Sequence, residues 1–153
     1  MEFFSKDEII NNKKVRIKLW DTAGQEQYKA LTKNFFRNSD GILITFDVTN
    51  RKTFDKVAYW MDSSVQNAEK GVPIILLGNK IDLNRQVSTE EAKKLADSYN
   101  IKYYETSAKN NIGIGEAIKD ITKQVLIKEK PNEFKISLID DKPETEQDSG
   151  CKC

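Results

Sequence analysis

A chain of 153 residues, 38% of them hydrophobic, has enough apolar side chains for one compact domain but not for two. The 25 lysine and arginine residues nearly balance the 24 aspartate and glutamate residues, so the net charge of +1 provides no basic field and we expect no nucleic-acid partner. There is no histidine to serve as a general base, and the two cysteines, Cys151 and Cys153, allow neither a disulfide framework nor a zinc site. No run reaches the ~18 apolar residues of a membrane span, so the protein is either cytosolic or reaches a membrane through an added anchor.

A β-hairpin is predicted at the start of the chain. Val15, Ile17 and Leu19 alternate with residues of other types, which is the period of a strand with one buried face. The asparagines at positions 11 and 12 tolerate the positive φ angles of a tight turn. Residues 2–10 would then form the partner strand.

Three further strands are predicted at residues 41–47, 72–78 and 102–106. The first two are apolar enough to be buried on both faces, as in a parallel sheet. Helical stripes with apolar residues three or four positions apart lie between and after them. The stripes consist of Phe54, Val57, Ala58, Met61 and Val65; of Ala92, Leu95, Ala96 and Tyr99; and of Ile114, Ala117, Ile118, Ile121 and Val125.

Local signals mark the ends of these helices. Ser88 followed by Glu91 predicts a capping box for the second stripe, and Gly71 stands where the first helix should stop. The alternation of strands and helices predicts an α/β fold, a sheet with helices on its faces. From Pro131 onward the sequence is mostly polar and predicts a tail rather than a second domain.

Ligands of an open parallel sheet bind at the carboxyl ends of its strands, so the residues that follow each strand are candidate site residues. The first such segment runs Asp21, Thr22, Ala23, Gly24 and Gln25. An aspartate can hold a hydrated magnesium ion, a glycine lets its backbone N–H approach a terminal phosphate, and a glutamine can orient an attacking water. The alternative is an ordinary strand end followed by a polar turn.

The second segment, Asn79-Lys80-Ile81-Asp82, follows the most apolar strand. The carboxylate of Asp82 can accept two parallel hydrogen bonds, which matches the donors on the edge of guanine and not those of adenine. Asn79 could fix the loop and touch the ring, while the stem of Lys80 could cover the face of the base. The alternative is an asparagine-capped turn before a surface aspartate.

The third segment, Ser107-Ala108-Lys109, follows the next strand, where a small residue lets a backbone N–H reach a ring oxygen. This tripeptide is a weak signal by itself. Asn79 lies 58 residues after Asp21, and Ser107 lies 28 residues after Asn79, each at the end of a predicted strand. Three chance matches in this order, each at the end of a predicted strand, are improbable, so the three segments together indicate one nucleotide site.

These motifs resemble those of the small GTPases of the Ras superfamily. The segments 19–26 (LWDTAGQE) and 46–50 (FDVTN), together with the terminal Cys-Lys-Cys, resemble the Rab family in particular. The resemblance implies an incomplete G domain over residues 1–129 and a flexible hypervariable tail over 130–153 that ends in a Cys-x-Cys prenylation motif. It also implies the α/β sheet of P-loop NTPases, with helices on both faces, lacking its first strand and P-loop.

The resemblance assigns roles to individual residues. Asp21 would contribute to a magnesium site through water, within a phosphate region that includes Thr22 and Ala23, while Gly24 would sense the γ-phosphate and Gln25 would be catalytic. The guanine-binding residues would be Asn79, Lys80, Asp82, Ser107, Ala108 and Lys109. The effector surface would include Phe3, Trp20 and Phe35.

By the same resemblance, the protein would hydrolyse GTP to GDP and phosphate with Mg2+ as cofactor, and act as a switch in vesicle-mediated membrane traffic. Its partners would be effectors, exchange factors, activating proteins, an escort protein and a GDP-dissociation inhibitor. Two geranylgeranyl groups, on Cys151 and Cys153, would place it on the cytoplasmic face of intracellular membranes, cycling with the cytosol. The tail after position 130 has three lysines against six carboxylates, a net charge of −3, so lipid chains rather than charge would bind it to a membrane.

The Gly-Lys pair of a phosphate-binding loop does not occur in these 153 residues. In the family, that loop follows a strand that lies between the two strands predicted here at 15–21 and 41–47, so we expect both of these strands to have an unpaired edge. Two hypotheses remain: a Rab-type GTPase whose phosphate loop precedes Met1, and a nucleotide-blind prenylated binding protein made at this length. A different nucleotide-binding α/β protein would not explain Asp82 and the terminal cysteines together.

Overall fold

The structure is a computed structural model that describes residues 2–21 and 36–128. In chain order its elements are β1 (Glu2–Ile10), β2 (Lys13–Asp21), β3 (Ile42–Asp47), α1 (Arg51–Asp55), α2 (Val57–Asn67), β4 (Ile74–Asn79), α3 (Thr89–Ser98), β5 (Lys102–Glu105) and α4 (Ile114–Lys128). None of the helices in the described ranges has both the length and the apolar character needed to span a bilayer.

The predicted hairpin is confirmed. Strands β1 and β2 pair antiparallel in a register that runs from Glu2 opposite Asp21 to Ile10 opposite Lys13. The turn residues Asn11 and Asn12 have φ angles of 52° and 61°. Positive φ at both central positions is the geometry that suits the twist of a two-residue hairpin, and asparagine tolerates it better than most side chains.

The predicted parallel sheet is also confirmed, with strand order β3-β4-β5. Asp47 lies opposite Asn79, and Gly78 lies opposite Glu105, so the carboxyl ends of the three strands form one edge. Among the described residues, β2 and β3 belong to separate sheets and are not paired with each other. This arrangement agrees with the unpaired edges expected from the sequence.

Helices cover both faces of the parallel sheet. On one face, β3 and β4 pack against α1, α2 and α3 in a cluster that includes Ile42, Ile44, Phe46, Phe54, Val57, Met61, Leu76, Ala92 and Ala96. On the other face, Ile75 and Leu77 of β4 pack against Ala117 and Ile121 of α4. The burial of β4 from both sides explains why its sequence is almost continuously apolar.

The first helical stripe differs from its prediction. It forms two helices, α1 and α2, with Lys56 as the residue between them. Val65 is 65% exposed, because Val57, Met61 and Ser64 make the buried face and Val65 lies one position beyond it. Helix α2 ends at Asn67, four residues before Gly71, which lies in the following turn with a φ angle of 82°.

Two further predictions are partly wrong. Ser88 caps α3 by accepting a hydrogen bond of 3.1 Å from the backbone N–H of Glu91, but the Glu91 carboxylate binds the Arg51 guanidinium at 2.6 and 2.7 Å instead of completing a capping box. Thr45 of β3 is exposed, so this strand is not buried on both faces. The reason is that α4 packs over β4, in the middle of the sheet, and leaves the centre of β3 open on that side.

Candidate functional site

The loops after β4 and β5 are joined at the carboxyl edge of the sheet. The backbone N–H of Thr106 donates to the carbonyl of Gly78 at 2.8 Å, and the N–H of Ile81 donates to the carbonyl of Thr106 at 3.2 Å. Parallel pairing of the two strands therefore continues as cross-links between the loops. These links place the second and third predicted segments side by side.

The side chain of Asn79 strengthens this junction. Its Oδ1 accepts a hydrogen bond of 3.1 Å from the backbone N–H of Ala108, and the Thr106 hydroxyl lies 3.3 Å from the same atom. These bonds hold the loop after β5 against the end of β4. The N–H of Ala108, which the sequence suggests for a ring oxygen, is directed to Asn79 in this structure.

A short hydrogen bond links Asp82 and Ser107. The fully buried hydroxyl of Ser107 donates to Asp82 Oδ1 at 2.5 Å, and it accepts from the backbone N–H of Asn110 at 3.1 Å. This bond is the main reason why the pKa of Asp82 lies below its ordinary value, and the positive charges of Lys109 and Lys80 lower it further. The carboxylate is therefore ionised at neutral pH, and its oxygens can accept hydrogen bonds from a ligand.

Lys80, between Asn79 and Asp82 in the sequence, has an unusual backbone conformation. Its φ angle is 69°, a left-handed value that is uncommon for a residue with a Cβ atom. Its ammonium group lies 2.6 Å from Asp47 Oδ2. Burial alone would raise the pKa of Asp47, but hydrogen bonds from Lys80 and Thr49 bring it below the usual value.

Asp47 is not among the residues that the sequence predicts for the site. The signal that could have found it is its position, since it ends β3 at the same edge as Asn79. The rule that selected the residues after β4 and β5 applies equally to the strand end of β3. The polar groups at this edge therefore come from the ends of β3, β4 and β5.

The remaining predicted residues lie elsewhere or outside the described part. Asp21 is exposed at the end of β2, in the hairpin sheet, opposite Glu2. Phe3 and Trp20 are register partners in that hairpin, and Trp20 is 52% exposed. The predicted residues that lie outside the described ranges are Thr22, Ala23, Gly24, Gln25, Phe35, Cys151 and Cys153. Within residues 2–21 and 36–128, no group of three or more histidine, cysteine, aspartate or glutamate residues could hold a metal ion.

A sequence model described as the Ras family matches residues 1–127 of this 153-residue chain. The chain belongs to the Ras family. Its α/β fold, with helices on both faces of a parallel sheet, is that of a small GTPase.

Similar proteins within the Ras family are Rab proteins. The chain is 40% identical over 121 residues to Ras-related protein Rab-13 of Bos taurus, which covers 78% of this chain and 60% of the relative. It is 37% identical over 150 residues to Rab-13 of Mesocricetus auratus, covering 94% and 73%. It is 39% identical over 121 residues to Ras-related protein Rab-8B of Homo sapiens, covering 78% and 58%.

These relatives identify the chain as a Rab small GTPase, as its motifs suggest. The chain spans about 60% of the length of the Bos taurus Rab-13 that it matches.

Proposed function

We propose that this Rab family protein is a GTP/GDP switch in vesicle-mediated intracellular membrane traffic, and that Asp82 selects guanine. The observation that supports this best is the ionised Asp82 carboxylate, held by the buried hydroxyl of Ser107 at 2.5 Å. The ring N–H and the exocyclic amine of guanine are adjacent donors, and a carboxylate accepts both. Adenine has a ring acceptor where guanine has the N–H, so it would leave the carboxylate unmatched.

Neighbouring groups would complete the base site. In the loop that Asn79 holds through the N–H of Ala108, a backbone N–H of Ala108 or Lys109 would donate to the ring oxygen of guanine while Asp82 binds the opposite part of the edge. Binding at Ala108 would require its N–H to be shared with, or released from, Asn79 Oδ1, 3.1 Å away. Lys80 would cover one face of the ring with its four-carbon stem.

The phosphate side of the proposal depends on family membership. Asp21 would hold Mg2+ through water, together with phosphate oxygens, which suits an ion that prefers few protein ligands. The bound ion would neutralise charge on the phosphates. Gly24 would approach the γ-phosphate and Gln25 would orient the attacking water, in a segment that also contains Thr22 and Ala23.

The membrane side also follows from family membership. Two geranylgeranyl groups, on Cys151 and Cys153, would anchor the protein to the cytoplasmic face of intracellular membranes, because a single lipid chain binds only marginally. Phe3, Trp20 and Phe35 would contribute to an effector surface. Exchange factors, activating proteins, an escort protein and a GDP-dissociation inhibitor would control the cycle.

Calorimetric titration of the chain with GDP and with ADP tests guanine selection. We expect GDP to bind more tightly, and Asp82→Asn to remove most of that preference, because an amide cannot accept both hydrogen bonds. A matched control is Asp97→Asn, which neutralises an exposed aspartate of α3. Equal affinity of the unmodified chain for GDP and ADP, or an unchanged preference in Asp82→Asn, would contradict the proposal.

A further inference from the structure

Asp47 is bound at both carboxylate oxygens. Its side chain is 18% exposed at the end of β3. Oδ1 accepts from the backbone N–H of Thr49 at 2.9 Å and from its hydroxyl at 2.7 Å, while Oδ2 faces the ammonium group of Lys80 at 2.6 Å. One oxygen thus stabilises the turn that follows β3, and the other binds a residue of the next loop.

The backbone around Asp47 is held independently of Lys80. The N–H of Asp47 donates to the hydroxyl of Thr53 at 3.0 Å, and the N–H of Val48 donates to the carbonyl of Asn79 at 3.0 Å. These bonds fix the position of the carboxylate before any contact with the ammonium group is made. Removal of its charge should therefore leave the turn in place.

The ion pair itself contributes little to the stability of the fold. The side chain of Lys80 is 53% exposed, and pairs of this kind are weak because water competes for both charges. Lys80 nevertheless has a left-handed φ of 69°, which is costly for a residue with a Cβ atom. Strained residues of this type are concentrated at functional sites, which favours a functional role for the pair over a structural one.

We propose that Asp47 is a positioning residue for guanine binding, which acts by fixing Lys80 across the carboxyl ends of β3 and β4. With its ammonium group on Asp47, the flexible stem of Lys80 loses most of its freedom before the ligand arrives. The stem then covers one face of the base while Asp82 binds its edge. This inference rests on the proposed guanine site.

Two variants separate this role from a structural one. Asp47→Asn keeps an oxygen that can accept from Thr49, but it removes the charge that holds Lys80. Lys80→Met keeps most of the stem and removes the ammonium group. The matched control is Asp55→Asn, which neutralises an exposed carboxylate whose partner, Arg51, lies 3.1 Å away on α1.

Calorimetric titrations with GDP and with inosine diphosphate, which lacks the exocyclic amine, measure the effect. We expect Asp47→Asn and Lys80→Met each to lower the affinity for both ligands about fivefold, which is the upper end for the loss of an exposed ion pair. The double variant should bind GDP as tightly as the single variant with the lower affinity, because the two substitutions remove the same interaction. The ratio of the two affinities should stay unchanged in Asp47→Asn and fall in Asp82→Asn, since only Asp82 binds the amine.

Each outcome decides the inference. GDP affinity in Asp47→Asn or Lys80→Met equal to that of the unmodified chain, or additive losses in the double variant, would overturn it while leaving the guanine site intact. A lower midpoint of thermal unfolding in Asp47→Asn, with Lys80→Met binding normally, would assign Asp47 a structural role and also overturn it. If the unmodified chain does not bind GDP at millimolar concentration, the proposed function fails and this inference fails with it.

Discussion

The hairpin of β1 and β2 and the parallel sheet of β3, β4 and β5 are stabilised in different ways. In the hairpin, Phe4 is 59% exposed and Ile9 is 76% exposed, so backbone hydrogen bonds and a favourable turn supply much of the stabilisation. In the sheet, Ile75 and Leu76 are fully buried between helices. The hairpin is thus specified largely by local sequence, and the sheet by burial against distant segments.

The charged groups follow the same division. In the hairpin, the Arg16 guanidinium binds both oxygens of Asp7 at 2.7 and 3.0 Å, in an exposed pair. At the edge of the sheet, the buried hydroxyl of Ser107 holds Asp82. A rigid carboxylate suits the selection of a small ligand, whereas an exposed, adaptable strand surface suits contacts with other proteins.

The largest difference should come from truncating one apolar side chain in each region. Leu76→Ala should lower the free energy of unfolding by about 2–5 kcal/mol, because it leaves a cavity in the core. Ile9→Ala, at a side chain that is 76% exposed, should change it by less than about 0.5 kcal/mol. Urea unfolding followed by circular dichroism measures both, and similar losses would show that the hairpin is as tightly packed as the sheet.

A smaller difference in stability should come from substitutions at Gly78 in the sheet and at Asn12 in the hairpin turn. In Gly78→Ala, the added Cβ would press on the Tyr103 hydroxyl and lie 3.0 Å from Val48 Cγ1, so we expect a loss of about 1–3 kcal/mol. Asn12→Gly, at φ of 61° in the hairpin turn, should be neutral or slightly stabilising, because glycine adopts positive φ freely.

Gly115→Ala is the control for this pair, since the residue is helical and, apart from its chain neighbours and the backbone of its own helix, no atom lies within 4 Å of the added Cβ. It should be neutral or stabilising. The midpoints of thermal unfolding of the three variants give their order of stability. A Gly78→Ala protein as stable as Gly115→Ala would mean that the sheet edge can relax around Tyr103, and that the base site is less rigid than its hydrogen bonds suggest.

The smallest effect should separate two carboxylates. Hydrogen bonding to Arg16 lowers the pKa of Asp7, and hydrogen bonding to Ser107 lowers the pKa of Asp82. From about 0.1 M to about 1 M salt, the Debye length falls from about 10 to about 3 Å, which weakens exposed ion pairs but not a bond from a neutral hydroxyl. We therefore expect salt to raise the pKa of Asp7 more than that of Asp82, as measured by NMR titration of the carboxyl carbons.

Ser107→Ala should have the opposite selectivity, raising the pKa of Asp82 and leaving that of Asp7 unchanged. A lowered pKa means that the ionised form is favoured above that pKa and lost as the pH falls through it. Guanine binding should therefore be lost at a higher pH in Ser107→Ala than in the unmodified chain. An equal response of both carboxylates to salt, or an unshifted Asp82 in Ser107→Ala, would contradict the assignment of their pKa shifts.

The sequence by itself determined the elements and their order. Alternation of side chains and a pair of asparagines specified the hairpin, because strand period and turn conformation are local properties. Apolar runs specified the parallel strands, and the rule that ligands bind at strand ends led to Asn79 and Ser107. The break at Lys56 was not visible, because an apolar stripe continues through it.

The tertiary structure decided which side chains meet. Asp82 and Ser107 are 25 residues apart, and Arg51 and Glu91 are 40 residues apart, so no local pattern pairs them. The pairing of Asp47 with Lys80 likewise depends on the register of β3 against β4. A carboxylate is equally common in a turn, a cap or a site, and only the fold determines which donor lies within hydrogen-bond distance of it.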